Sequence, residues 1–148
     1  MTFVPLVGID AIIAKLNAPA ERALATEELA QLGPSTIPYL VEAARGTWKN
    51  AWGVPCENDL QIRTGAVIAL SRMGAAASEA LPVLEALVAF APLRRELVQA
   101  FAAIKEGSRR AEVVESCTAA LVQLQKDPDP EVRCAAERAL RGPGPRDR

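Results

Sequence analysis

The chain has no histidine among its 148 residues. This absence removes the side chain that proteins use most often as a general base near neutral pH and as a metal ligand. Three cysteines are present, but Cys56, Cys117 and Cys134 lie far apart and form no CxxC pair, so neither a zinc site nor a thioredoxin-like centre is expected. We interpret them as reduced thiols of a cytoplasmic protein, and we expect Cys117 and Cys134, which lie among apolar residues, to be buried.

Aromatic residues and excess charge are also scarce. Aromatic residues make up 4% of the chain, and the net charge is −1. A core of this composition must be built from Leu, Val, Ile and Ala, which favours closely packed helices. The charge balance disfavours a general nucleic-acid binder, which usually carries a basic face.

Motifs for catalysis and for crossing a membrane are missing as well. The sequence contains no G-x-S-x-G nucleophile motif and no glycine-rich phosphate loop. We therefore predict that the protein is not an enzyme and has no catalytic, cofactor-binding or metal-binding residues. The apolar N-terminus lacks a basic region and is interrupted by Asp10, so no signal peptide is expected. No apolar run approaches the roughly 20 residues needed to span a bilayer, so no membrane partner is expected.

Apolar residues recur at helical spacing along most of the chain, and no segment alternates like a strand. This periodicity predicts about eight amphipathic helices, the last of them at 129–141. Gly33, Gly46 and Gly74 are typical of helix ends. Asn58 and Asp129 are expected to cap helix starts with their side-chain oxygens.

The helical pattern also repeats. The spacing R-x2-A-x3-L-x2-L-G begins at Arg22 and recurs at Arg63, its first half recurs at Arg133, and Arg94 keeps the spacing with bulkier residues. Successive repeat arginines are separated by 41, 31 and 39 residues. Helix pairs with this period predict an α-solenoid.

Two segments resemble a known repeat family. "DPDPEVRCAAERALR", residues 127–141, resembles the first helix of a HEAT repeat, especially the HEAT-like type of phycobilisome lyases. "QIRTGAVIALSRMGAAASEALPVLEALV" resembles a complete helix pair of that type. The resemblance implies an all-α, right-handed α-α superhelix of about four repeats, in a single domain over 1–141. It also implies that helices 35–45, 78–90 and 108–126 line the concave side. The tail, 142–148, is expected to be disordered.

The stretch "GTWKNAWGVPCEN", residues 46–58, contains both tryptophans and reads as an insertion of about ten residues in the repeat. Because Trp, Tyr and Arg dominate interface hot spots, we predict a partner-binding site here. The two indoles share a face if the segment forms a helical turn. The alternative is that the indoles fold back and cover the groove between two repeats. The predicted partner-binding residues are Tyr39, Arg45, Trp48, Lys49 and Trp52.

Charged residues suggest two further features. Asp59 and Arg63, and likewise Asp129 and Arg133, lie four residues apart on one helix face, and in HEAT-like proteins such charges link neighbouring repeats as a ladder. We prefer this structural interpretation over a ligand site. The third repeat is locally basic, and Arg109 and Arg110 are predicted to lie in the first turn of a helix, where cations are unfavourable. A solvent-exposed charged face is the preferred interpretation, and anion binding is the alternative. The possible anion-binding residues are Arg94, Arg95, Arg109 and Arg110.

These observations favour a non-catalytic scaffold or adaptor that binds another protein through a curved helical surface and the aromatic insertion. The resemblance leaves two alternatives, a nucleic-acid-binding HEAT-like protein and bilin-lyase-like handling of a tetrapyrrole. A purely structural part of a larger assembly or oligomer is a third. The oligomeric state is left open.

Overall fold

A computed structural model describes residues 3–142 of the chain. The predicted all-helical class is confirmed, and the β structure within this range is one isolated bridge between Lys49 and Pro55. Apart from Gly142, the predicted tail lies outside the described residues. The α-helices are α1 (Ile9–Ala14), α2 (Arg22–Leu32), α3 (Ile37–Arg45), α4 (Leu60–Met73), α5 (Leu81–Leu87), α6 (Arg94–Gly107), α7 (Ala111–Leu124) and α8 (Pro130–Arg141).

The helices pack mainly on helices one or two places away in the chain. Helices α2, α4, α6 and α8 contact one another in that order, and α1, α3, α5 and α7 do the same. Between the two rows, α3 packs on α4, and α7 packs on α6 and α8. Each helix therefore buries its apolar stripe against elements that are close in sequence.

The buried apolar residues form one cluster that runs from Ile13 to Ala136. It is built mostly from Leu, Ile, Val and Ala, as the composition predicts. Small residues allow close approach: a Cβ on Gly65 of α4 would lie 2.9 Å from Cδ2 of Leu16. The glycine therefore lets α4 lie directly against the 3-10 turn Lys15–Asn17.

The four repeat arginines each make the same type of hydrogen bond. Each guanidinium donates to the backbone carbonyl six residues earlier, where the preceding helix or turn ends. Carbonyls at the C-terminal ends of helices lack partners within the helix, and a cation there also interacts favourably with the negative end of the helix dipole. The bonds are Arg22 Nε to Leu16 O (2.8 Å), Arg63 Nη1 to Glu57 O (3.0 Å), Arg94 Nε to Val88 O (2.7 Å) and Arg133 Nη1 to Asp127 O (2.8 Å).

The aspartates four residues before Arg63 and Arg133 act as helix caps. Asp59 accepts from the backbone N–H of Ile62 (3.1 Å), and Asp129 accepts from that of Glu131 (2.9 Å). The predicted cap at Asp129 is confirmed, whereas the cap of α4 is Asp59 and not Asn58.

Ion pairs do connect successive repeat positions, but through other arginines than predicted. Arg94 Nη1 lies 2.8 Å from Asp127, and Arg95 Nε lies 3.3 Å from Asp129. Both pairs join the start of α6 to the connection between α7 and α8. Arg63 and Arg133 donate to backbone carbonyls instead, and the aspartates four residues before them accept from backbone N–H groups as helix caps.

The helices predicted at 35–45, 78–90 and 108–126 begin later than expected. Helices α3 and α5 follow the 3-10 turns Gly33–Thr36 and Gly74–Ala80, and each has a proline as its second residue. Helix α7 begins at Ala111 after an extended Arg110. Arg109 and Arg110 therefore precede α7, with Arg110 as its N-cap residue, and the prediction that they lie in its first turn is wrong.

The cysteine predictions are confirmed in one case and wrong in the other. Cys117 is buried, and its burial raises the pKa of the thiol to about 11. Cys134 is exposed. It lies two residues from Val132 and from Ala136 on α8, and both of these side chains are buried. A two-residue step turns an α-helix by about 200°, so Cys134 faces away from the core.

The continuous helical run Leu60–Leu87 is long and apolar enough to cross a membrane by length and composition alone. Of its most apolar window, 39% is buried inside the protein. The run comprises α4, a 3-10 turn and α5. Core helices of water-soluble proteins meet the same criterion.

Candidate functional site

The tryptophan loop, residues 46–58, folds back on itself. Its part that carries the two tryptophans, 46–55, forms no helical turn, and the loop ends in the 3-10 turn Cys56–Asn58. Helix α3 ends at Gly46, whose φ of 87° and close approach to Glu57 both require glycine: a Cβ would lie 2.7 Å from Cα of Glu57. The loop then doubles back, with the N–H of Cys56 donating to the carbonyl of Trp48 (2.8 Å). The condition under which Trp48 and Trp52 would share a face, a helical turn that carries both, is therefore not met.

The tip of the loop is fixed by Asn50. Its side-chain oxygen accepts from the N–H groups of Trp52 (2.8 Å) and Val54 (3.0 Å). Its backbone carbonyl accepts from Gly53, which has a φ of 76°. Asn side chains often stabilise turns in this way. The backbone that carries Trp52 is thus held in place before any partner arrives.

The two tryptophans have opposite environments. Trp48 is only 5% exposed and belongs to the core, and its Nε1 donates to the carboxylate of Asp10 (2.9 Å). Trp52 is 54% exposed at the tip. Trp48 therefore packs in the core, whereas Trp52 faces solvent, and the partner-binding role of Trp52 stays a prediction.

Trp52 is accompanied by an aromatic residue that the sequence did not point to. The rings of Phe3 and Trp52, here called the aromatic pair, have centroids 4.8 Å apart and planes tilted by 54°. The N–H of Val4 donates to the carbonyl of Ala51 (2.7 Å) and ties the N-terminal segment to the loop. Phe3 is 50% exposed, and Val4 and Val7 are also exposed.

Beside the loop lies a shallow groove of about 460 Å³, here called the Tyr39 groove. The predicted partner-binding residues Tyr39, Trp48 and Lys49 line it, whereas Arg45 is exposed at the end of α3 and does not. Tyr39 is 39% exposed. The lining residues are Asp10, Pro38, Tyr39, Glu42, Thr47, Trp48 and Lys49.

The arginines predicted as a possible anion site are mostly paired within the chain. Arg94 pairs with Asp127, Arg95 with Asp129 and Glu131, and Arg110 with Glu112. No ion pair within residues 3–142 includes Arg109, which is exposed.

The same arginines are also not gathered into one site. Arg94 and Arg95 begin α6, whereas Arg109 and Arg110 follow its end, and a helix of this length separates them by about 20 Å. The structure therefore does not bring the four together.

Another groove, of about 590 Å³, lies between α6, α7 and α8. Its floor is apolar, and its edge carries both signs of charge, with Lys105, Glu106 and Arg138. Within the described part of the chain, no group of three or more Cys, Asp or Glu side chains could hold a metal ion. Every buried side-chain nitrogen and oxygen there has a hydrogen-bond partner.

Comparison of the chain with protein-family models, with curated proteins and with solved structures finds no match in any of the three. The resemblance to HEAT-like repeats, with the function it implies, therefore stays a prediction.

Proposed function

We propose that the chain is a non-catalytic protein-binding module of the α-solenoid type, acting in the cytoplasm. In this proposal the helices form a right-handed superhelix of about four HEAT-like repeats with eight helices. The two rows of helices and the arginine-to-carbonyl bond at all four repeat positions support this architecture.

The observation that carries the binding proposal is the aromatic pair. Exposed apolar groups that lie side by side are typical of interaction sites on soluble proteins. Tryptophan is also strongly enriched among interface hot spots. Trp52 is more than half exposed, yet its backbone is fixed by Asn50 and by the bond from Val4 to Ala51.

This fixed backbone matters for affinity. Ordering a loop on binding costs free energy, so a surface that is already ordered binds more tightly for the same contacts. The tryptophan loop presents Trp52 from a turn with five internal hydrogen bonds, which involve Asn50 or cross the loop. It is therefore suited to bind a partner without refolding.

The arginines do not favour a nucleic-acid partner. Phosphate binding needs cations that are free to neutralise the backbone. Three of the four candidate arginines are engaged by carboxylates of the chain itself. No specific contact in the described residues favours a tetrapyrrole.

The test is capture of a partner from the source cell, followed by titration of that purified partner. The variant is Trp52→Ala, and the matched control is Leu24→Ala, which removes an exposed apolar side chain from α2. We expect the control to bind like the wild type, and Trp52→Ala to weaken binding by about 30-fold, the effect of losing a hot-spot residue. If Trp52→Ala bound the partner as tightly as Leu24→Ala, the aromatic pair would not be part of the interface.

A further inference from the structure

The Tyr39 groove suggests the chemistry of what binds beside the aromatic pair. We propose that it accepts an arginine side chain from the partner protein, with the guanidinium between Asp10 and Glu42 and against the ring of Tyr39. This inference rests on the proposed protein-binding function and names the residue type that the partner supplies.

The first support is the charge of the groove. Its lining contains the carboxylates of Asp10 and Glu42 and the ammonium of Lys49. None of the three takes part in an ion pair within residues 3–142. Two negative groups and one positive group leave the groove with a net formal charge of −1, which a cation complements.

The second support is that both carboxylates are held by neutral donors. Asp10 accepts from the indole N–H of Trp48 (2.9 Å), and Glu42 accepts from the hydroxyl of Thr47 (2.6 Å). A neutral donor fixes a carboxylate in place but does not cancel its charge. Each carboxylate also keeps further lone pairs that can accept from a second donor.

The third support is the aromatic wall, which distinguishes arginine from lysine. A guanidinium is planar, stacks on aromatic rings and donates to carboxylates through several N–H groups at once. An ammonium is a compact, strongly hydrated charge. Tyr39 offers a partly exposed ring beside the carboxylates, so the groove matches the flat cation better.

The indole N–H of Trp48 provides the measurement. The chain has two tryptophans, so a ¹⁵N–¹H spectrum shows two indole signals, and that of Trp48 reports directly on Asp10. The probe is N-acetyl-L-arginine amide, with the neutral citrulline amide as the matched control ligand and the lysine amide as the second cation. We expect a saturable shift of the Trp48 signal with the arginine probe, a weaker one with lysine and none with citrulline.

Variants of the groove test the roles of its charges. Asp10→Asn and Glu42→Gln keep oxygen acceptors for Trp48 and Thr47 but remove the negative charge, and each should weaken arginine binding several-fold. Lys49→Met removes the competing cation and should strengthen it. Folding of each variant is checked by circular dichroism. A neutral-ligand response equal to that of arginine, or no response up to about 10 mM, the range of weak binding, would overturn the inference.

Failure of the arginine inference can be distinguished from failure of the proposed binding function. Trp52→Ala leaves the lining of the groove intact, so it should not change the Trp48 response to arginine. If Trp52→Ala abolishes partner binding while Asp10→Asn and Glu42→Gln leave it unchanged, the binding function stands and the arginine inference fails. If the groove binds arginine and Trp52→Ala leaves partner binding intact, the aromatic pair is not the anchor.

Discussion

The guanidinium of Arg63 lies over the ring of Phe90, with its Cζ 4.1 Å from the ring centroid. The same group donates from Nε to the carbonyl of Ala44 (3.0 Å) and from Nη1 to that of Glu57 (3.0 Å). One buried side chain therefore joins the end of α3, the turn before α4 and the connection after α5.

This arrangement predicts that Arg63→Ala destabilises the protein strongly. The substitution leaves the buried carbonyl of Ala44 and the partly buried carbonyl of Glu57 without their donor and removes a cation–π contact, which together should cost about 2–4 kcal/mol. Arg133→Ala is the matched control, because Arg133 occupies the same repeat position but is exposed. It should cost about 1 kcal/mol or less. Urea denaturation followed by circular dichroism measures both, and equal losses would contradict the role assigned to Arg63.

A second prediction concerns Trp48. Trp48→Phe keeps an aromatic ring in the core but removes the indole N–H that donates to Asp10. We expect a loss of about 1–3 kcal/mol, because a hydrogen bond to a charged group disappears. Trp52→Phe, at the exposed tip, should change the free energy of unfolding by less than about 0.5 kcal/mol. The measurement is the denaturation midpoint of each variant. If both midpoints shifted equally, the result would be inconsistent with the opposite environments of the two rings.

The thiols should react in a fixed order. Cys134 is exposed, whereas Cys56 and Cys117 are buried and burial raises the pKa of both thiols. At about pH 8, a thiol reagent should modify Cys134 in the folded protein and the other two only after unfolding, since the thiolate is the reactive form. The measurement is mass spectrometry of the labelled protein, with Cys134→Ser as the control. Rapid labelling of Cys117 under native conditions would argue against the packing of α7.

The start of α8 should respond to acid. The backbone N–H of Glu131 and then the guanidinium of Arg95 lower the pKa of the Asp129 carboxyl from its usual 3.8. Because the folded-state pKa lies below the unfolded value, the stabilisation is present above 3.8 and is lost as the pH falls through the folded-state pKa. A carboxyl titration by NMR should give a midpoint below 3.8. Asp129→Asn should be less stable than the wild type above this pH, and the difference in the free energy of unfolding should shrink as the pH falls. A midpoint at or above 3.8 would show that the cap is not formed.

Local patterns in the sequence predict the helices well, because each apolar stripe is written within one segment. The helix end at Gly46 and the cap at Asp129 follow from the same local rules. The acceptors of Arg63 cannot be predicted from local rules, because the carbonyls of Ala44 and Glu57 become neighbours only when the loop folds back.

Only the local features of the candidate site could be predicted from the sequence, because its contacts join residues that are distant in the chain. Both tryptophans are visible in the sequence, but only the fold decides that Trp48 meets Asp10 and that Trp52 meets Phe3. Asn50 and Gly53 are turn residues that could have indicated a tight loop in place of a helical turn. Nothing local could have placed Phe3 beside a residue 49 positions later.

The most direct test of the binding proposal is photo-crosslinking beside the aromatic pair. Val54 is exposed two residues from Trp52, and p-benzoylphenylalanine placed there leaves both rings of the pair in place. The same crosslinker at Leu24 on α2 is the control. We predict that the partner is crosslinked from position 54 and not from position 24. Crosslinking from position 24 alone would contradict a binding surface built on the tryptophan loop.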